Sequence, residues 1–416
     1  MMSEKKLYYR FLSNILPDKN SGKRIILITG ARQTGKTTLA KIKYSGLRYI
    51  NLDLMENREI LREISALNWH RDIGEAVIDE AQKEASIFEK IKYAYDEDKI
   101  SFQVLLGSSQ IMLLKKIRES LAGRIWIYEL WPLMMCEMAE SMTYPLLDSV
   151  IKSTKLDKVL ESISSVLFEQ EALKLRSIED HILKWGGMPA LIHIERDEEK
   201  KKWLKDYQYT YLERDLSDLA RLEYLEPFRK FQKLVALRSG SILNYSDLAR
   251  DSGISVDTAK RYFEYLRISY QTIFIQPYYR NITSSVIKTP KIYISDIGLL
   301  RSLTGIYEAV TGEIYETMVV TEVYKWVNTM QIPCSIFYYR TRSGLEVDLL
   351  IETEKGLIAF EIKGRQEVDS VDIRSMKALA EKLGNQWIGG IVIYKGNQIK
   401  RLSDSIWAVP SWRLFV

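Results

Sequence analysis

Gly30-Ala31-Arg32-Gln33-Thr34-Gly35-Lys36-Thr37 decides the fold of this 416-residue chain. The stretch reads G-x-x-x-x-G-K-T. Ile25-Ile26-Leu27-Ile28 stands before it as a short apolar strand, and Thr38-Leu39-Ala40-Lys41-Ile42 continues as helix. Strand, loop and helix in that order are the setting the pattern requires. Glycines let the backbone curl so that successive N–H groups point at a polyphosphate, and the helix N-terminus adds its positive end. Residues Gly30, Ala31, Arg32, Gln33, Thr34, Gly35, Lys36, Thr37 and Thr38 are therefore expected to cradle a nucleoside triphosphate, with ATP and Mg²⁺ as cofactors. Lys36 meets the β- and γ-phosphates, and the Thr37 hydroxyl is placed to ligate Mg²⁺.

Working outward, strands and helices alternate: strands at 47–53, 75–79, 102–107 and 124–130, helices at 56–66, 87–96 and 111–121. Such alternation predicts an α/β fold with a parallel sheet. Ala76-Val77-Ile78-Asp79-Glu80 is a strand closing on two acids. Asp79 is expected to hold the Mg²⁺ shell and Glu80 to deprotonate the attacking water. At the tip of the next strand, Ser108, with Ser109 as the alternative, is expected to sense the γ-phosphate; a helix N-cap role fits the same serines. In Ser120-Leu121-Ala122-Gly123-Arg124, Arg124 is the candidate finger for a neighbouring subunit, with Arg118 second and a solvated surface arginine as the competing reading.

Bulk properties narrow the class. Hydrophobic residues make up 46% and charged residues 28%, as in globular proteins, and a net charge of +5 permits but does not demand nucleic acid. Cys136 and Cys334 lie far apart and form no metal pattern, so buried thiols in a reducing compartment are expected. No apolar run approaches membrane-spanning length, and Met1-Met2-Ser3-Glu4-Lys5-Lys6 leads into no secretory pattern. A cytoplasmic protein without membrane contact is expected. Residues 1–23 read as a short amphipathic helix and a polar turn.

Residues 24–140 resemble the AAA+ ATPase core, and in particular a widespread prokaryotic group carrying "GARQTGKTT", "DEAQ" and "SLAGR". The resemblance implies a central phosphate-loop strand, ring-forming homo-oligomers and ATP at subunit interfaces. It also implies that 141–225 is a helical lid. Trp185-Gly186-Gly187-Met188-Pro189 is a turn within that lid, 203–219 a long aromatic-rich helix, and Arg214 a weak sensor candidate.

From 226 to 310 the pattern is that of a winged helix. Two short helices flank Gly253, Ser255 caps the second, and strands at 270–277 and 292–295 follow. Lys260, Arg261 and Arg267 would contact DNA, although winged helices also dock proteins. Residues 311–416 hold a helix with Glu313, Glu316 and Glu322, then Asp348 within one strand and Glu361-Ile362-Lys363 in the next. Alternation puts Glu361 and Lys363 on one face, and a hairpin brings Asp348 beside them. This resembles the PD-(D/E)xK nuclease fold, though no proline precedes Asp348 and Lys363-Gly364-Arg365 makes a basic exit. The resemblance implies Asp348 and Glu361 as metal ligands, Glu316 as a helical acid joining them, and Lys363 as the catalytic lysine.

The expected domains are thus an AAA+ core at 1–140, the lid at 141–225, the winged helix at 226–310 and an α/β nuclease-like domain at 311–416. The expected function is an oligomeric Mg²⁺-dependent ATPase acting on DNA, remodelling or processing branched or broken substrates. The alternative is a nucleotide-dependent switch that gates a nuclease or partner without translocation. A purely protein-binding regulator gives no reason to keep Asp348, Glu361 and Lys363 together.

Overall fold

A computed structural model describes residues 7–107, 120–212, 225–279 and 289–416. Strand β1 (Arg24–Thr29) lies inside a five-stranded sheet with β2 (Arg48–Asn51), β3 (Ala76–Asp79), β4 (Phe102–Leu106) and β5 (Ile125–Glu129). The spatial order is β2-β3-β4-β1-β5 and every pairing is parallel. β3 and β4 are buried along their whole length and β1 from Ile25 onward, which is why they are mostly apolar rather than alternating. The carboxyl ends of β1 and β3 place the phosphate loop beside Asp79 and Glu80.

Two expected helices differ. Among the described residues 7–23 there is one 3-10 turn, Phe11–Asn14, where an amphipathic helix is expected. Arg10 explains it. Its guanidinium donates to the carbonyls of Thr34 (2.6 Å) and Trp131 (2.5 Å) and pairs with Glu137 (3.1 Å), while the Phe11 N–H also donates to Glu137 (2.9 Å). Those tertiary bonds hold the chain extended across the core. For the helix expected at 203–219, the described residues are helical from Asp197 to Tyr207 and pass into a π-helical turn at Gln208–Leu212; residues 213–219, with Arg214, lie outside the described residues.

In the middle region the helices Tyr245–Ser252 and Val256–Ile268 meet at Gly253 (φ 73°), and the Ser255 hydroxyl accepts from Thr258 N–H as the cap. The antiparallel strands β6 (Thr272–Pro277) and β7 (Lys291–Ile294) follow. They do not stop at a domain edge. β6 runs parallel to β8 (Ser335–Arg340), joining an eight-stranded sheet of order β12-β13-β11-β10-β9-β8-β6-β7. Its other members are β9 (Glu346–Thr353), β10 (Gly356–Lys363), β11 (Trp387–Tyr394), β12 (Lys400–Ser403) and β13 (Ile406–Pro410). The sheet therefore crosses the boundary expected near residue 310. The buried helix Gly312–Thr329 packs against it.

Three segments meet at a joint with no room for side chains. A Cβ on Gly187 would lie 2.1 Å from the Leu133 carbonyl oxygen, one on Gly186 2.3 Å from an Asp296 oxygen, and one on Gly298 2.1 Å from the Trp185 oxygen. Gly298→Ala must push backbone apart inside a packed interior, a change that costs about 1–3 kcal/mol. Its melting temperature is expected to fall by several degrees in a thermal scan; an unchanged value would show that the joint is looser than its geometry.

Candidate nucleotide site and a second acidic cluster

The phosphate loop has the backbone its residues dictate. Gly30 (φ 144°) lets Leu130 approach so closely that a Cβ would sit 2.2 Å from its carbonyl oxygen, and Gly35 (φ 97°) turns the chain into helix α1 (Lys36–Lys43). Lys36 is buried, and its ammonium donates to the carbonyls of Gly30 (3.0 Å) and Ala31 (2.6 Å). Phosphate oxygens would take over those donors. Tyr207, at the end of the helix Asp197–Tyr207, donates to the Arg32 carbonyl (3.1 Å) and Arg10 to that of Thr34, so the loop is held from outside at two places.

Asp79 gathers two hydroxyls on one oxygen, Thr37 at 2.6 Å and Tyr49 at 2.7 Å, while its other oxygen accepts from Glu80 N–H. A carboxylate and a hydroxyl touching at the loop's edge are the hard oxygen donors Mg²⁺ prefers, and both fit that ion. Glu80 adopts φ 55°, and Gln82 holds one of its oxygens at 2.6 Å. Burial raises the Glu80 pKa above the ordinary glutamate value, against the pull of Arg32 and Lys36. That is the direction a general base needs.

Beside the loop lies a cavity of about 870 Å³, lined by Thr34, Gly35 and Thr38 from the loop, Tyr8 from the N-terminal segment, and Pro189 and His193 from the short helix Pro189–Ile192 and its end. A mostly apolar recess adjoining a phosphate cradle can take a flat heterocyclic base. The turn of Gly186 and Gly187 is fixed from two sides: Leu133 N–H donates to the Gly187 carbonyl (2.7 Å), and Gly187 N–H donates to Asp296 (2.8 Å). Asp296 also caps the helix Ile297–Thr304 through Leu299 N–H. Sequence reading registered the turn, and Tyr207 only as an aromatic at helical spacing, but not Arg10 or Asp296, whose bonds to Trp131 and Gly187 join residues more than a hundred positions apart.

The remaining candidates separate. Ser108, Ser109 and Arg118 lie outside the described residues. Arg124 makes a bidentate pair with Asp96 (2.6 and 2.9 Å) and bonds the Ala122 carbonyl. It precedes β5, whose Ile125 is in register with Ile25 at the start of β1. The loop begins five residues further along, about 16 Å at strand rise, so Arg124 does not serve its own chain's phosphates. Lys260 sits 3.8 Å from Asp257, Arg267 forms a bidentate pair with Glu264 (2.6 and 2.8 Å), and Arg261 is exposed. Arg267 further lines a recess with Glu129, Trp131 and Tyr270, facing the ATPase core. Two of the three expected basic residues thus have an acid of their own helix beside them, as solvent-screened surface pairs. Cys136 is buried and Cys334 half-buried, both as free thiols.

In the C-terminal region Asp348, Glu361, Lys363 and Glu316 do converge. Asp348 Oδ2 accepts from Ile362 N–H (2.8 Å) across the β9–β10 hairpin, and Lys363 donates to Glu361 (2.6 Å). Burial and the Asp348 charge push Glu361 up to about 8. Burial likewise raises Asp348 and Glu316. One residue there was missed. Lys291, which opens β7, places its ammonium 3.1 Å from Glu316, 2.9 Å from Glu346 and 4.0 Å from Asp348. Burial works against that charge, yet the three carboxylates outweigh it and hold the Lys291 pKa above the usual lysine value. The only signal in sequence was a lone lysine at the head of an apolar strand. Among the described residues no group of three or more His, Cys, Asp or Glu is arranged to hold a metal ion. Glu316, Asp348 and Glu361, expected as metal ligands, lie near enough for their charges to interact, with Lys291 between Glu316 and Asp348.

Phosphate loop, acidic strand end and parallel strand order together define a P-loop ATPase core. Residues 22–139 match the family described as AAA domain, 175–309 a domain of unknown function (DUF8612), and 311–414 another (DUF4143). The chain is similar to uncharacterised proteins of Mycobacterium bovis and Mycobacterium tuberculosis, each 27% identical over 93% of this chain and 80% of theirs. An uncharacterised protein of Methanocaldococcus jannaschii is 24% identical, over 98% of this chain and 89% of its own. Among solved structures, a signal transduction ATPase with a tetratricopeptide repeat sensor from Pyrococcus horikoshii shows 11% identity and a TM-score of 0.24. It covers 75% of this chain, which spans 44% of that one; at that score the likeness carries no argument. Among the described residues no helix is long and apolar enough to cross a membrane.

Lys36→Ala is expected to weaken nucleotide binding about 10- to 100-fold in a calorimetric titration, the scale of hydrogen bonds to a charged group. Glu80→Gln should keep binding but lose roughly 10²–10⁴ in turnover. Because only ionised Glu80 accepts a proton, its raised pKa moves the acid-side loss of turnover to higher pH than an ordinary glutamate gives, and Glu80→Gln should lack that limb. Equal turnover in both proteins would remove Glu80 from the mechanism.

Proposed function

We propose that this chain is a Mg²⁺-dependent ATPase working as a nucleotide-operated switch on its own C-terminal region. One observation carries the reading: the turn that leads into Pro189, on the wall of the cavity beside the phosphate loop, also donates from Gly187 to Asp296, two residues beyond β7 of the eight-stranded sheet. Thr37 and Asp79 would hold Mg²⁺, which when bound neutralises phosphate charge, and Glu80 accepts a proton from water. A nucleotide drawing the lid inward pulls on Asp296, and β7 carries that pull into the sheet. Asp296→Asn keeps an oxygen for capping Leu299 N–H while losing the acceptor facing Gly187. It is expected to bind a non-hydrolysable ATP analogue normally but to lose the analogue's effect on hydrogen exchange at 291–294. An identical exchange response in both proteins would end the switch reading.

Action on DNA is the second reading, favoured by the capped helix pair and exposed Arg261. It predicts ATP turnover stimulated by linear or four-way-junction DNA and reduced by Arg261→Ala; turnover indifferent to DNA leaves the switch alone. Assembly of the chain into a ring is part of the same proposal, since Arg124 is far from its own loop. Arg124→Ala should bind ATP yet hydrolyse it poorly, and mixing with excess Lys36→Ala subunits should partly restore turnover. No rescue in mixed oligomers would confine Arg124 to its pair with Asp96.

A further inference from the structure

We propose that Lys291 is the resident cation of the C-terminal carboxylate cluster, its ammonium set among Glu316, Glu346 and Asp348, so that this region works without metal. The cluster's charge balance is independent of the ATPase's role as a switch. Lys291 is 3% exposed, and its Nζ lies between Glu316 on one helix, Glu346 and, more distantly, Asp348 on β9. The acids are further spoken for. Tyr293, next but one on β7, donates to the same Glu316 oxygen (2.7 Å), and Arg340 faces the second Glu346 oxygen (3.4 Å). Asp348 uses one oxygen for Ile362 N–H, and Glu361 uses one for Lys363.

One atom argues the other way. Glu361 Oε2 is buried without a hydrogen-bond partner. A lone carboxylate oxygen is too little for Mg²⁺ or Mn²⁺, which require several oxygen ligands around them. Its nearest carboxylate help, the free side of Asp348, already faces the Lys291 charge. A divalent ion between Asp348 and Glu361 would stand against two ammonium groups, Lys291 and Lys363, inside a poorly screened interior. Four carboxylates here meet three basic side chains, so the charge is nearly balanced without an ion.

The placement of Lys291 is built, not incidental. It comes from outside the 311–416 region, on a strand held by backbone pairing to Ile275 and by the Ile242 bridge. Backbone pairing fixes its Cα, and burial on all sides leaves its stem one course to the acids. A lysine free to leave would instead point its charged head to water.

Full-length protein without nucleotide, titrated with Mn²⁺ and followed by electron paramagnetic resonance, tests this. Wild type and Asp348→Asn should bind the same amount of Mn²⁺. Lys291→Met removes the charge at similar length and should gain one Mn²⁺ per chain, lost again in Lys291→Met/Asp348→Asn. Lys291→Met should also melt at lower temperature and be raised by Mn²⁺, whereas wild type should not respond. A Mn²⁺ site in wild type that Asp348→Asn abolishes would overturn the proposal, and this comparison holds even if Lys291→Met does not fold. So would a folded Lys291→Met that gains no Mn²⁺, or Mn²⁺-dependent cutting of DNA by wild type that Asp348→Asn removes.

Discussion

The buried carboxylate of Asp296 is the interaction on which the arrangement of this chain depends. A charge one per cent exposed must be matched by donors or it destabilises the fold. Its oxygens accept from Leu299 N–H and Gly187 N–H, so one side chain both starts a helix and fixes the turn of Gly186 and Gly187. The turn can come that close only because Gly186, Gly187 and Gly298 carry no side chains. Polar satisfaction and steric exclusion thus act together: the donors demand proximity, and the glycines permit it. Together they link a phosphate cradle to the edge of a second sheet through closely packed backbone.

The two acidic sites resemble each other in composition and differ in their cations. At the end of β3, Asp79 meets hydroxyls from Thr37 and Tyr49, and the basic groups near Glu80, Arg32 and Lys36, belong to the loop itself. Hydroxyls add no charge, so an incoming ion finds a carboxylate still negative. In the C-terminal cluster, ammonium and guanidinium groups already face the carboxylates. Similar acids therefore lead to opposite expectations. What separates the sites is whether a neighbouring strand brings its own positive charge.

Burial also accounts for where titration is displaced. Glu361 is raised because it lies beside Asp348 out of contact with water, and Glu179, buried against Ser411, rises to about 7 chiefly through loss of water. Both are carboxyls whose ionised form loses solvation without gaining a full complement of donors. Tertiary packing, rather than residue type, set these values.

Much was legible in the residues alone. Glycine spacing, an apolar strand before it and helix formers after it prescribe the phosphate loop, because local backbone geometry depends on near neighbours. The same holds for the strand ending in Asp79-Glu80, the Ser255 cap and the Glu361-Ile362-Lys363 alternation. Periodicity reports which face a residue occupies, and it did so correctly for these. It does not report what stands opposite. Arg10 abandoning a helix to bond Thr34 and Trp131, Asp296 reaching Gly187, and Lys291 entering an acidic cluster from another region each join atoms a hundred residues apart or span separate segments. The chain by itself determined a nucleotide-binding loop and a carboxylate-rich hairpin. Only the tertiary structure decided which cation meets those carboxylates, because charge compensation is a matter of distance in space and no spacing along the chain encodes it.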